Sequence, residues 1–508
     1  MRLVPTTGRG TLGRFLIGAV IVIAFTAATT AVAGLLQFKQ VANDIGLSPP
    51  LPHARVTIPD PGNAQTILVI GSDHRARDPF TAANTDTMLL VRMDPASSTI
   101  NVLSIPRDLR VDIPGHGTNK LNATYSVGGP NLLIRVLREQ VFPGLQVNHI
   151  VDVNFGGFQA LVNAIGCVYA DVDHRYYNNT AVTGYSSIDI QPGYQRLCGS
   201  DALAFVRFRH TDSDLVRNAR QQDFIRWAKD QYGVSQILAN KDRLLRIFGQ
   251  HTQTDPNLHS VDGLINLFNL AAFSAGHSIK QFKFPAILLP CGAPAVGRGA
   301  AAQTPCYVGA EPGAEDRTFA AFMSPTVGGA PVPAAGPAGR TRRGAPLPRV
   351  TNLTGDAGDG RAQAAALRRL AMPVYFPRQI ALGSSYCSSS TSACPVEIPS
   401  TGSYPRAYRI RDQQGSTYPA YRLTLVLNQL GGEYYGVQGT TWKDPPLLRS
   451  PSQTRTVGGR QLELFFNGHK LTVVAWRSPA GPVWISNTLT DDLSNAQMLG
   501  IAASLGRG

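Results

Sequence analysis

The sequence predicts an α/β fold over residues 64–290, a central mixed β-sheet flanked by helices, followed by a smaller α+β domain over residues 349–508. Three observations carry this expectation. Between Gln65 and Gln281, short apolar runs bounded by turn residues alternate irregularly with longer runs at helical spacing. From Pro325 to Pro348, 16 of 24 residues are Pro, Gly or Ala, which separates two blocks of globular composition. Finally, 508 residues at 43% apolar composition suffice for two or three domains of about 100–200 residues with buried cores, and exclude wholesale disorder.

The elements follow in order. Residues 1–14 carry Arg2, Arg9 and Arg14, and Phe15 to Phe38 is an uncharged run of 24 residues. A helix of that length rises about 36 Å, enough to cross a hydrocarbon core of about 30 Å. The preceding arginines put residues 1–14 in the cytoplasm and everything after Lys39 outside. Ala31-Val32-Ala33 also resembles a signal-peptide cleavage site, and both an uncleaved anchor over 15–38 and a cleaved signal export the rest of the chain. Residues 39–63, with five prolines, read as a spacer.

Within 64–290, TILVIG, TMLLVRMD and TINVLSI read as strands, with a turn at Pro95 to Ser98 between the last two. Asn131 to Gln140 and Gly157 to Ile165 read as helices, IDIQPG as extended, ALAFVRFRH as a strand, and Asp214 to Ile237 as a long helix. Residues 291–348 are expected as a linker. Beyond it, a helix is expected near Arg361 to Leu370, strands at PVYF, YRLTLVL, QLELFF and KLTVVAW, and a closing helix from Asp492 to Leu505.

The six cysteines are Cys167, Cys198, Cys291, Cys306, Cys387 and Cys394. None forms a C-x-x-C pair, and an even count in an exported chain favours disulfides, with sequence neighbours as the natural partners and buried thiols as the alternative. The net charge is +14, from 39 Arg and 8 Lys against 33 acidic residues. An Arg bias suits an anionic ligand and also follows from a GC-rich coding sequence. The charged fraction of 16% and the absence of a helix-turn-helix pattern argue against nucleic-acid binding.

One constellation carries chemistry. Asp73 follows a buried strand and Asp86 begins the next, so their carboxylates fall at strand ends, where α/β sites form. Together they could share a hard divalent ion, and they could equally be turn or cap residues. Read as a strand, Arg207 and Arg209 share one face. Arg217, Arg220 and Gln221 fall on the following helix, Arg107 precedes Asp108, and Asp214 stands at the helix start, where it could be an N-cap. Converging arginines need an anion between them, and a pyrophosphate accepts bidentate guanidinium bonds. Surface pairing with Asp108, Asp212, Asp214 and Asp223 is the plain alternative.

The strings GSD (71–73), NTDTMLLV (84–91), SIPRD (104–108), KLNATY (120–125) with GG (128–129), and RFRHTDSDLVRNARQQ (207–222) occur in this order. The series resembles the LytR–CpsA–Psr family of extracytoplasmic phosphotransferases over about residues 64–280. The resemblance implies a polyprenyl-pyrophosphate-linked glycopolymer as donor, peptidoglycan as acceptor and membrane lipid as a partner. It implies Mg²⁺ (or Mn²⁺) on Asp73 and Asp86, a pyrophosphate clamp of Arg107, Arg207, Arg209, Arg217 and Gln221, and Asp214 as base for the attacking hydroxyl. Arg220 joins the clamp by its place on the helix. Many relatives carry Arg where this chain has Asn84, a charge that Arg75 or Arg77 could replace. The lipid tail implies an apolar slot, for which Phe142, Val153, Phe155, Phe158, Leu161 and Val162 are candidates, as they are for ordinary core. A lipid-pyrophosphate hydrolase and a binding-only or regulatory wall protein are the competing functions.

Overall fold

The computed structural model describes residues 51, 54–60, 62–72, 85–97, 99–180, 187–208, 214–232, 240–259, 266, 270, 277–289, 307–324, 350–388, 394, 404–429 and 431–508. The apolar run at 15–38 lies outside them. Among the described residues no helix is long and apolar enough to cross a membrane.

The first unit opens with three antiparallel strands, β1 (Gln65–Ser72), β2 (Thr85–Met93) and β3 (Thr99–Ser104). A hairpin of β4 (Arg110–Ile113) and β5 (Gly117–Lys120) leads into helix α1 (Asn122–Val136). Gly129, at φ 63°, breaks α1 in two, and Pro130 starts the second half, which is the helix expected from Asn131. Then come β6 (His149–Asn154), α2 (Phe155–Ala164), β7 (Val168–Val172), β8 (Tyr176–Asn178), β9 (Ile188–Ile190) and β10 (Gly193–Leu197). Helices α3 (Gly199–Arg207), α4 (Asp214–Gln231) and α5 (Lys241–His251) precede β11 (Thr252–Thr254) and β12 (Ser278–Lys283). The central sheet has the order β11-β6-β1-β2-β3-β12, and β1–β6 and β3–β12 are its parallel pairs.

Period-two alternation sends Leu68, Ile70, Leu90 and Leu103 to one face, against Leu133 and Val136 of α1. Ile67, Met93 and Val151 face the other way, against Leu258 and Phe248 of α5. The sheet is thus mixed and covered on both sides. A separate core joins α2, α3 and α4 through Val162, Phe205, Phe224 and Trp227.

Three expectations need correction. Residues 202–207 of ALAFVRFRH belong to helix α3: Ala202, Phe205 and Val206 are buried at helical spacing, and the alternation over Arg207, Phe208 and Arg209 is too short a run to outweigh it. Arg207 therefore ends a helix instead of sharing a strand face with Arg209, which lies outside the described residues. The region 291–348 is not all linker. β13 (Ala286–Leu288) pairs with β14 (Val308–Ala310), and α6 (Ala314–Met323) buries Phe322 in the first core. The spacer also ends early: Leu51 and Ala54 are buried in that same core, and the Leu51 amide donates to the Thr254 carbonyl.

The C-terminal region is sheet-rich. Eight antiparallel strands run in the order Ser385–Tyr386, Thr417–Asn428, Glu433–Thr440, Gly481–Ser486, Lys470–Ser478, Arg460–Asn467, Gln453–Val457, with Arg406–Arg411 also on Thr417–Asn428. Helices Ala357–Ala366 and Asn495–Ala503 pack on it, the second closed by a capping box at Ser494 and Gln497. The two regions share a core, because Tyr169 and Tyr194 of the β7–β10 pair pack with Ile410, Ala475 and Trp484. Disulfides join Cys167 to Cys198 and Cys387 to Cys394. Cys291 and Cys306 lie outside the described residues.

Candidate functional site

The site forms where β2 begins. Gly71 and Thr87 face each other across the β1–β2 pair, and a Cβ at 71 would sit 3.2 Å from the Thr87 Cβ, so glycine lets the strands close there. Asp86 is the next residue along β2. Its Oδ1 accepts from Arg107 Nη1, and its Oδ2 accepts from Arg207 Nη2 at 3.0 Å and Nε at 3.3 Å. The two guanidinium groups, 121 and 21 residues from Asp86 in sequence, therefore converge on one carboxylate.

Each arginine is held by its own support. Arg107 sits in the turn after β3, where its backbone carbonyl accepts from the Asn122 amide at the start of α1. Next to it, buried Asp108 pairs with Lys120 at 3.1 Å. Arg207 lies over the Phe155 ring, 3.8 Å from its centroid, a cation–π contact. Phe155 is the first residue of α2, and the Asn154 side chain caps that helix by accepting from the Gly157 amide at 2.8 Å.

Helix α4 braces the same place from behind. Arg220 donates to the Phe205 and Phe208 carbonyls at 3.2 and 2.8 Å, the orphan acceptors at the end of α3. Gln221 Nε2 donates to the Val206 carbonyl at 3.1 Å. Arg220 also donates to the Tyr176 hydroxyl, which in turn donates to Asp173 at 2.5 Å. Burial pushes the Asp173 carboxyl up, but His174, Tyr176 and Arg220 together hold it below its usual range. Arg220 and Gln221 thus position the end of α3, and with it Arg207. Arg217 is buried one turn before Gln221.

The structure thus brings Asp86, Arg107 and Arg207 into direct contact and sets Arg220 and Gln221 behind them. Asp73, Arg75, Arg77, Asn84 and Arg209 lie outside the described residues, and of Asp214 only its place as the first residue of α4 is described. Among the described residues no group of three His, Cys, Asp or Glu side chains could hold a metal. The expected apolar slot is not one surface. Phe142 stacks on Phe319 beneath the sheet, Phe158 and Val162 belong to the α2–α4 core, and Phe155 carries Arg207. Sequence reading missed Phe155 as the seat of Arg207 and Tyr176 as the partner of Arg220. Their signals are an aromatic at a capped helix start and one on a strand, neither of which names its partner.

One carboxylate at the start of β2 thus gathers Arg107 from the turn after β3 and Arg207 from the end of α3. The chain belongs to the LytR_cpsA_psr family, whose model matches residues 36–289. It is 32% identical over 211 residues to the polyisoprenyl-teichoic acid–peptidoglycan teichoic acid transferase TagU of Oceanobacillus iheyensis, covering 40% of this chain and 62% of that protein. To the corresponding transferase TagT of Bacillus subtilis it is 30% identical over 209 residues, 40% of this chain and 64% of that one. The chain therefore spans less than two thirds of each of these relatives. A probable cell wall biosynthesis protein, LcpB of Corynebacterium glutamicum, is 38% identical over 141 residues, 28% of this chain and 32% of its own length. A solved structure titled TagT bound to LI-WTA covers 54% of this chain and 95% of its own at 24% identity, with a TM-score of 0.39.

Proposed function

We propose that the protein transfers a glycosyl-phosphate polymer from a polyprenyl-pyrophosphate carrier to peptidoglycan on the outer side of the membrane, anchored by a single span over residues 15–38. The convergence of Arg107 and Arg207 on Asp86 carries this reading. Two guanidinium forks separated by the width of one carboxylate suit a pyrophosphate, which accepts bidentate bonds and brings more charge than Asp86. The transferase names of TagU and TagT support it, and the two disulfides suit an oxidising compartment.

In the proposed reaction a sugar hydroxyl of peptidoglycan attacks the phosphorus that bears the glycopolymer. The bond from that phosphorus to the bridging oxygen breaks, and polyprenyl phosphate leaves. Asp214, at the first position of α4, takes the hydroxyl proton. Arg107 and Arg207, with Arg209 and Arg217, neutralise charge on the transferred group and hold it in line. Asp73 and Asp86 are the proposed ligands of Mg²⁺ or Mn²⁺. Asp73 is outside the described residues and both Asp86 oxygens accept from arginine, so the described residues alone do not make a metal site. No step is routed through a metal.

The test is release of polyprenyl phosphate from a lipid-linked oligosaccharide, with and without peptidoglycan. Acceptor-dependent release with the sugar appearing on peptidoglycan is expected. Equal release without acceptor would make the protein a hydrolase, and no release would make it a binding protein.

A further inference from the structure

A cavity of about 380 Å³ lies between the two regions. On the side of the first unit its wall includes Pro106, which leads into Arg107, and Leu215 and Asn218 of α4. The opposite wall comes from the C-terminal region, with Glu433 at the start of the strand Glu433–Thr440 and Asp492 before the closing helix. Its volume falls within the range of about 300–1,000 Å³ typical of small-molecule sites.

Helix register ties this cavity to the chemistry. Position 214 is one turn before Asn218, so the proposed base and a cavity-lining residue occupy the same row of α4. Arg217 and Gln221 lie on the neighbouring row, and Gln221 bonds the end of α3. Lys283, at the end of β12, fastens the two regions at the rim by donating to the Thr490 carbonyl and pairing with Asp491 at 2.9 Å.

The lining groups decide what can enter. Glu433 and Asp492 both line the cavity, and burial together with the neighbouring Asp492 pushes the Glu433 carboxyl up. Lys283 lines the same cavity, which therefore presents both hydrogen-bond acceptors and a donor to a polar ligand. It accepts hydrogen bonds from hydroxyls, while Leu215, Val216 and Ala219 offer an apolar wall to the C–H face of a sugar ring. In-line transfer also needs the acceptor to reach the phosphorus from a side other than that of the leaving group.

We propose that this cavity is the acceptor subsite, in which Glu433 and Asp492 of the C-terminal region bind the hydroxyls of an uncharged glycan segment of peptidoglycan next to the Pro106 turn that leads into Arg107. The assignment rests on the transferase reading above. It gives the C-terminal region, which lies beyond the family match ending at residue 289, a direct share in the reaction.

The experiment is calorimetric titration of the full chain with a soluble N-acetylated tetrasaccharide cut from peptidoglycan, paired with titration of polyprenyl pyrophosphate. Glu433→Gln should weaken glycan binding at least tenfold, and Leu215→Trp, which fills the cavity, should abolish it. Both variants should bind polyprenyl pyrophosphate as the unaltered chain does and keep its melting temperature. Glycan binding by both variants at unaltered strength, or no glycan binding by the unaltered chain, overturns the assignment. So does selective loss of polyprenyl pyrophosphate binding, which would put the cavity on the donor side. Failure of the transferase reading shows separately, as an unaltered chain that binds the glycan and does not bind the pyrophosphate.

Discussion

Two carboxylates in this protein each hold arginine, and they do opposite work. Asp86 meets Arg107 and Arg207 at the mouth of the sheet, where the side chains keep 15, 18 and 36% of their exposure. Asp171, on β7, accepts from Arg422 at 3.0 Å and from Trp484 Nε1 at 3.1 Å, with 3% exposure on the acid and none on the arginine. The donors are similar in kind. Water reaches the first cluster, so an incoming anion can take over its arginines. The second is sealed between β7 and the C-terminal sheet, across 251 residues of sequence, so its charges can only hold the two regions together. Under the proposed function, access to solvent separates the binding site from the fastening.

The largest expected effect is at the sealed pair. Arg422→Ala leaves Asp171 buried without its cation and should cost about 3–5 kcal/mol of stability. Urea unfolding followed by tryptophan fluorescence measures it, and a loss near zero would erase the contrast. Replacing Cys167 and Cys198 together by Ser should cost about 3–4 kcal/mol, since the bridge closes a loop of 31 residues. Peptide mapping without reductant should recover the linked pair.

At the open cluster the expected loss moves from stability to turnover. Arg107→Ala or Arg207→Ala should slow polyprenyl phosphate release on the order of 10²–10³, equivalent to about 2.7–4 kcal/mol of transition-state stabilisation. Stability should change by no more than about 1 kcal/mol, the usual scale of part-exposed ion pairs. Arg207→Lys should restore little turnover, because an ammonium lacks the planar fork. Arg340→Ala, in the Pro/Gly/Ala-rich stretch, should change neither quantity and controls for loss of positive charge. Equal turnover in Arg107→Ala and the unaltered chain would make the open cluster a second fastening.

The family motifs name Asp86, Arg107 and Arg207 from sequence, and the structure joins them. The same reading misplaces Arg207 on a strand. Over so few residues Arg207, Phe208 and Arg209 alternate in polarity, while the buried set Ala202, Phe205 and Val206 follows the helix. Nor does this reading show that Arg220 supports the end of α3 through the carbonyls of Phe205 and Phe208, which only the fold brings to it.

By itself the sequence determined the mixed sheet, the helices around it, the neighbouring cysteine pairs at 167–198 and 387–394 and the family, since these follow from local periodicity, spacing and motif order. Tertiary structure alone decided that residues 307–324 return to the first core, that Asp171 and Arg422 lock the two regions, and that Glu433 comes to face Pro106. Those contacts join residues more than 150 positions apart, and which polar groups then lose water depends on packing geometry that no local pattern encodes.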